Sequence, residues 1–74
     1  MREGMVMMKQ HYHTYKEGDR TAEVWLTNKG QWATRHYDKQ GGRASVWIKD
    51  VVHIGHNERW AEDAAENWVL EVNS

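Results

Sequence analysis

Ala22-Glu23-Val24-Trp25-Leu26-Thr27-Asn28-Lys29-Gly30-Gln31-Trp32-Ala33-Thr34-Arg35-His36-Tyr37 is the stretch whose reading decides the fold. Residues 22–28 alternate in polarity and are rich in β-formers, which predicts a strand. Asn28-Lys29-Gly30 supplies a three-residue hairpin loop, with Gly30 suited to the left-handed position of a bulge. Residues 31–37 return as the next strand. With the loop at 28–30, Thr27 faces Gln31, Leu26 faces Trp32 and Trp25 faces Ala33.

Moving outward, Asp38-Lys39-Gln40-Gly41-Gly42 reads as a second turn, and residues 43–54 as a longer strand with Val46, Trp47, Ile48, Val51, Val52 and Ile54. Placing Tyr37 opposite Arg43 sets Trp32 against Ile48, Thr34 against Val46 and Ala33 against Trp47. One face then carries Val24, Leu26, Trp32, Thr34, Val46 and Ile48. The other carries Trp25, Ala33, Arg35, Tyr37, Trp47 and Lys49. Upstream, residues 5–15 add an edge strand that ends at Lys16-Glu17-Gly18-Asp19, so the sheet has three or four strands.

The period changes after His56. At 100° per residue from Trp60, the positions Trp60, Ala61, Ala64, Ala65, Trp68, Val69 and Val72 fall on one side, with Glu62, Asp63, Glu66 and Asn67 on the other. Asn57 is the expected N-cap of a helix over 57–70, and its acidic first half suits the dipole. The alanines imply close approach to a sheet, while Trp32, Trp60 and Trp68 supply core bulk. The expected fold is α+β: an antiparallel meander with one C-terminal amphipathic helix packed on one face, with residues 1–74 forming a single domain.

Composition narrows the function classes. The chain has 74 residues, no cysteine, no proline, no phenylalanine and five tryptophans, with a mean hydropathy of −0.97. Absent cysteine excludes a disulfide scaffold, a thiolate zinc site and a cysteine nucleophile. The opening residues hold no apolar run long enough for a signal peptide or membrane span, so a cytoplasmic location is expected. The net charge of −1 hides a division. Residues 1–49 hold nine of the ten Lys/Arg, and residues 50–74 hold six of the eleven acids.

The candidate site is the row Trp25–Ala33–Trp47, joined by Tyr37 and rimmed by Arg35, Lys49, Arg43 and Lys29. An aromatic patch with arginine is the composition of a docking surface. It suits nucleic acid, with Trp25 and Trp47 packing on sugar or base while the cations meet phosphate. It also suits protein association, as a symmetric homodimer or as a grip on a host protein. The plainer reading is that cross-strand pairing stabilises a half-exposed sheet. His11-Tyr12-His13 in a strand puts both imidazoles on one face, and His53 and His56 lie close in sequence. No carboxylate motif on a helix accompanies them, so no metal or other cofactor is expected. The chain has no phosphate-binding glycine loop, nucleophile elbow or paired-carboxylate cleft. The expectation is therefore a small non-enzymatic binding module that associates with nucleic acid through this basic, tryptophan-bearing face, with protein association through the same face as the alternative, and with no catalytic residues and no small-molecule substrate.

The segments Gly30-Gln31-Trp32-Ala33-Thr34-Arg35-His36-Tyr37-Asp38, Gly41-Gly42-Arg43, Val46-Trp47-Ile48 and Ala61-Glu62-Asp63-Ala64-Ala65 carry a resemblance. Over about residues 22–70 the chain resembles the three-strand-plus-helix DNA-binding domain of plant ethylene-response factors, and the related arm-site-binding domain of phage integrases. The resemblance implies DNA contact through the sheet. Trp47 stands where the plant family has its DNA-contacting third-strand tryptophan. Arg35 stands where that family tends to have glutamate, while Ser45 and Tyr37 stand where it has arginine. The small size and methionine-rich start also resemble the small orphan proteins of tailed phages.

Overall fold

The computed structural model describes residues 7–39 and 44–71. Four strands, β1 (Met8–Glu17), β2 (Arg20–Thr27), β3 (Trp32–Lys39) and β4 (Ser45–Val52), form one antiparallel sheet in the order β1-β2-β3-β4. The helix α1 (Glu58–Leu70) follows and packs on β1, β2 and β3. This is the α+β meander with a C-terminal helix on one face. Residues 5, 6, 40–43 and 72 of the expected elements lie outside the described residues, and with them Gly41, Gly42 and Arg43.

Local chemistry sets the β2–β3 hairpin. Thr27 N–H donates to Gln31 O at 2.8 Å, and Gly30 takes φ 78° in the loop. Buried Thr27 accepts from Lys29 N and Gln31 N through its hydroxyl, which closes the turn from inside. The register is the expected one, with Leu26 opposite Trp32 and Trp25 opposite Ala33. At the other end of β2, Gly18 adopts φ 60° in the two-residue turn between Glu17 and Arg20.

The β3–β4 register departs from expectation. Ala33 faces Val52, Thr34 faces Val51, Arg35 faces Asp50 and Tyr37 faces Trp47, with an irregularity between His36 and Tyr37 that leaves Ile48 unpaired. Strand β3 runs on through Lys39 before the chain reverses, two residues later than expected. The observed register is favoured because it sets the Arg35 guanidinium against a carboxylate and covers Val51 and Val52. Val46 and Ile48, expected in the core, are exposed instead.

The core is small-residue in character. Ala22 and Val24 of β2 meet Ala61, Ala65 and Val69 of α1, and Tyr15, Trp32 and Trp68 pack around them. Two alanines with no accessible surface, one helical turn apart, let the helix axis come close to the sheet. Trp60, expected to fill the core, is 50% exposed and stacks on His56 at 3.9 Å and 7°. The helix starts at Asn57, whose Oδ1 accepts from Trp60 N at 3.0 Å. Its last turn contains no basic residue, and Arg20 of β2 serves that role from outside. Arg20 Nη1 donates to Trp68 O at 2.7 Å and lies over the Trp68 ring at 4.7 Å, where a cation is favoured by the helix dipole.

Because the helix sits this close, Ala65→Leu should destabilise the fold by about 1–3 kcal/mol through overpacking. Urea unfolding followed by circular dichroism measures the loss, and the exposed Glu66→Ala change is expected to stay within about 0.5 kcal/mol.

Candidate functional site

Strand alternation places Thr21, Glu23, Trp25, Ala33, Arg35, Tyr37, Lys39, Trp47 and Asp50 on the sheet face turned away from α1. Across it runs a ladder with one member from each strand. His11 of β1 lies 5.1 Å from the Trp25 ring of β2. The Arg35 guanidinium of β3 lies 5.9 Å from the Trp25 centroid and 5.0 Å from that of Trp47 on β4. Arg35 thus sits between two indoles, where cation–π attraction adds to packing.

Two carboxylates tie the ladder together. Arg35 Nε and an Nη donate to the two oxygens of Asp50 at 2.8 and 2.9 Å, a forked geometry that holds the guanidinium in one plane. Trp47 Nε1 donates to the same Asp50 Oδ1 at 2.9 Å. Asp50 keeps only 5% of its side chain accessible. On the far side, Trp25 Nε1 donates to Glu23 Oε1 at 2.9 Å and the Tyr37 hydroxyl donates to the same oxygen at 3.3 Å. Burial and the Glu23 charge both push the Tyr37 phenol above its ordinary value.

Of the residues expected at the site, Trp25, Arg35, Tyr37 and Trp47 share this face. The expected row Trp25–Ala33–Trp47 does not form: Trp47 is opposite Tyr37, and Arg35 is the group between the two indoles. Lys49 falls on the helix side, opposite His36, because the extra residue at Ile48 shifts the alternation by one. Lys29 is exposed in the β2–β3 loop, and Arg43 lies outside the described residues. Sequence reasoning missed Glu23 and Asp50 as the acceptors that organise the face. The signal for Glu23 was its i, i+2 spacing from Trp25 on one strand face.

The histidines divide in the same way. Irregularities in β1 put His11 opposite Trp25 and His13 opposite Val24, hence on opposite faces rather than the expected single one. Among the described residues, no group of three or more His, Cys, Asp or Glu side chains is placed to hold a metal ion. His36 and His53 instead flank the buried Thr34 hydroxyl, at 2.8 and 3.0 Å from their Nε2 atoms. One hydroxyl proton cannot serve both rings, so one ring nitrogen must donate to Thr34. His36 Nδ1 is buried with no hydrogen-bond partner among the described residues. At least one of the two rings therefore carries its proton on Nε2 and donates to the Thr34 oxygen. Trp68 closes the pocket edge-on, 4.6 Å from the His36 ring.

The chain matches no protein-family model, no curated protein and no solved structure. No helix among the described residues is long and apolar enough to cross a membrane.

Burial, with the Lys49 and His53 charges adding to it, pushes the His36 imidazole down to about 4. Below its ordinary value near 6.5 the unfolded chain takes up a proton that the folded chain refuses. Stability is therefore flat above pH 6.5 and falls between pH 6.5 and 4, with a slope of up to about 1.4 kcal/mol per pH unit from this group. Urea unfolding at stepped pH should show that fall, and His36→Gln should make it shallower, leaving the part contributed by His53, whose imidazole burial also pushes down. A second comparison separates the two aspartates. Asp50→Asn should cost about 1.5–3 kcal/mol by weakening charge-assisted bonds in a sheltered site. Asp38→Asn, whose partner Arg20 stands 3.9 Å away with both side chains about 30% exposed, should cost less than about 1 kcal/mol.

Proposed function

We propose that this protein is a non-enzymatic binding module whose open sheet face docks onto a protein partner. The observation that carries the reading is the closed ladder of His11, Trp25, Arg35 and Trp47. Trp25 is flanked from both neighbouring strands, by His11 and by Arg35. Both indole N–H groups, the Tyr37 hydroxyl and the Arg35 fork already end on Glu23 or Asp50. Covering such a face immobilises little that is not already held, and strands few polar atoms. Trp, Tyr and Arg are also the residues that dominate the energetics of protein interfaces.

One observation favours a second reading, association with nucleic acid. Lys16 and Lys39 share the open face, whereas Glu58, Glu62, Asp63 and Glu66 belong to α1 on the opposite side. An anionic backbone would therefore meet the sheet side in the more favourable field. The Trp25 ring already has His11 and Arg35 beside it and the Trp47 ring has Arg35, which leaves less ring surface for base stacking, and this ranks the reading second.

Site-specific photocrosslinking separates the two. A benzophenone amino acid at Thr21, on the open face, should give adducts in the cells that express the protein, and these should vanish on protease but not on nuclease treatment. The same group at Glu66, on the exposed side of α1, should give few. Nuclease-sensitive adducts at Thr21 would establish the second reading. Equal labelling at both positions would remove the open face from either.

A further inference from the structure

The two edges of the sheet are unlike. Strand β1 is guarded: it carries Lys9, Lys16 and Glu17 among mostly exposed residues, and its pairing with β2 is broken at two places. Charges and irregularities of this kind discourage another strand from adding to an edge. Strand β4 forms the other edge. From Ser45 through Ile48 it carries no charge, and Val46, Trp47 and Ile48 are 47, 48 and 44% exposed. The one polar atom among those three side chains, Trp47 Nε1, is already bonded to Asp50. An uncharged edge with apolar side chains is a template for strand pairing.

We propose that β4 pairs antiparallel with β4 of a second copy of this chain. Three observations select that occupant. Pairing β4 with β1 of another copy would build an open filament, and the charges and breaks of β1 oppose it. Pairing β4 with itself closes after two copies and matches an uncharged stretch with an uncharged stretch. The irregularity at Ile48 confines regular alternation on this side of it to Ser45, Val46 and Trp47, so a two-fold axis near Val46 sets Val46 against its own copy and Ser45 against Trp47, keeping Lys49 of each chain outside the paired segment. Charge on the rest of the molecule permits it. The helix packs on β1, β2 and β3, so the acidic residues of the two helices are held away from the shared edge. A two-fold axis perpendicular to the sheet also leaves both open faces on the same side, with the two ladders meeting end to end at Trp47.

A paired segment centred on Ser45–Trp47 makes a small contact, below the area of a permanent dimer, so association is reversible with a Kd of about 10–100 µM. This inference does not rest on which partner the open face binds. Sedimentation velocity from about 5 µM to about 500 µM tests it, because that span brackets the expected midpoint. The wild-type chain should move from its monomer mass of 8.8 kDa towards twice that value. Val46→Lys and Ile48→Lys, each folded by circular dichroism, should remain monomeric throughout. Thr21→Lys, which places a charge on the open face away from the edge, should dimerise as the wild type does. A wild-type chain that stays monomeric at the highest concentration overturns the proposal. So does dimerisation undiminished in both lysine variants of β4, or dimerisation lost in Thr21→Lys alone.

Discussion

The forked contact between Arg35 and Asp50 determines how β4 lies against β3, and much of the molecular surface follows from that choice. With Asp50 opposite Arg35, Val51 and Val52 cover Thr34 and Ala33, and Trp47 is carried along the sheet to a position opposite Tyr37. Trp47 then reaches the exposed side of the Arg35 guanidinium, and the ladder across four strands is complete. The same shift moves Val46 and Ile48 out of the interior, which makes β4 an apolar edge. A sheltered carboxylate with 5% side-chain exposure is costly unless its oxygens are paired. Asp50 receives three donors, so other registers would leave either the acid or the arginine without its partner.

A chain with five tryptophans and no phenylalanine invites the view that indoles form its centre. They do not. The centre is alanine and valine, because the helix approaches the sheet closely and leaves no room for a larger side chain between Ala61, Ala65 and Ala22. The tryptophans work at the margins of the layers. Trp32 and Trp68 seal the sides of the core, Trp25 and Trp47 frame Arg35 on the open face, and Trp60 stacks on His56 outside. Arg20 links margin to core: it lies over Trp68 and satisfies the end of the helix whose last turn has no cation of its own.

What was legible in the sequence depended on whether the deciding contacts were local. The β2–β3 hairpin and the helix start were readable because Asn28-Lys29-Gly30 and Asn57 act on residues a few positions away. The β3–β4 register was not, because a glycine-rich reversal is compatible with several loop lengths and the decision fell to an ion pair fifteen residues apart. The error still respected parity at Trp47: the pairing moved by an even number of residues, so Trp47 kept its face and joined Trp25, Arg35 and Tyr37 there. At Lys49, beyond the unpaired Ile48, the shift was odd, and the residue changed sides. The breaks in β1 separated His11 from His13 for the same reason. Irregularities in a strand have no reliable local signature, and each one reverses the face of every residue beyond it.

Trp47 belongs both to the open face and to the β4 edge, and this ties the two surfaces together physically. Its indole N–H is held by the same Asp50 oxygen that accepts from Arg35 Nε, so its ring cannot turn without loosening the Arg35 contact. Displacing Trp47 would disturb the last rung of the ladder, and shifting Arg35 would release the side chain in the middle of the uncharged edge. A partner on the face and a strand at the edge would therefore act on one hydrogen-bonded unit rather than on two separate sites. Any free energy by which one favours the present arrangement of Asp50, Arg35 and Trp47 would be returned equally in the binding of the other.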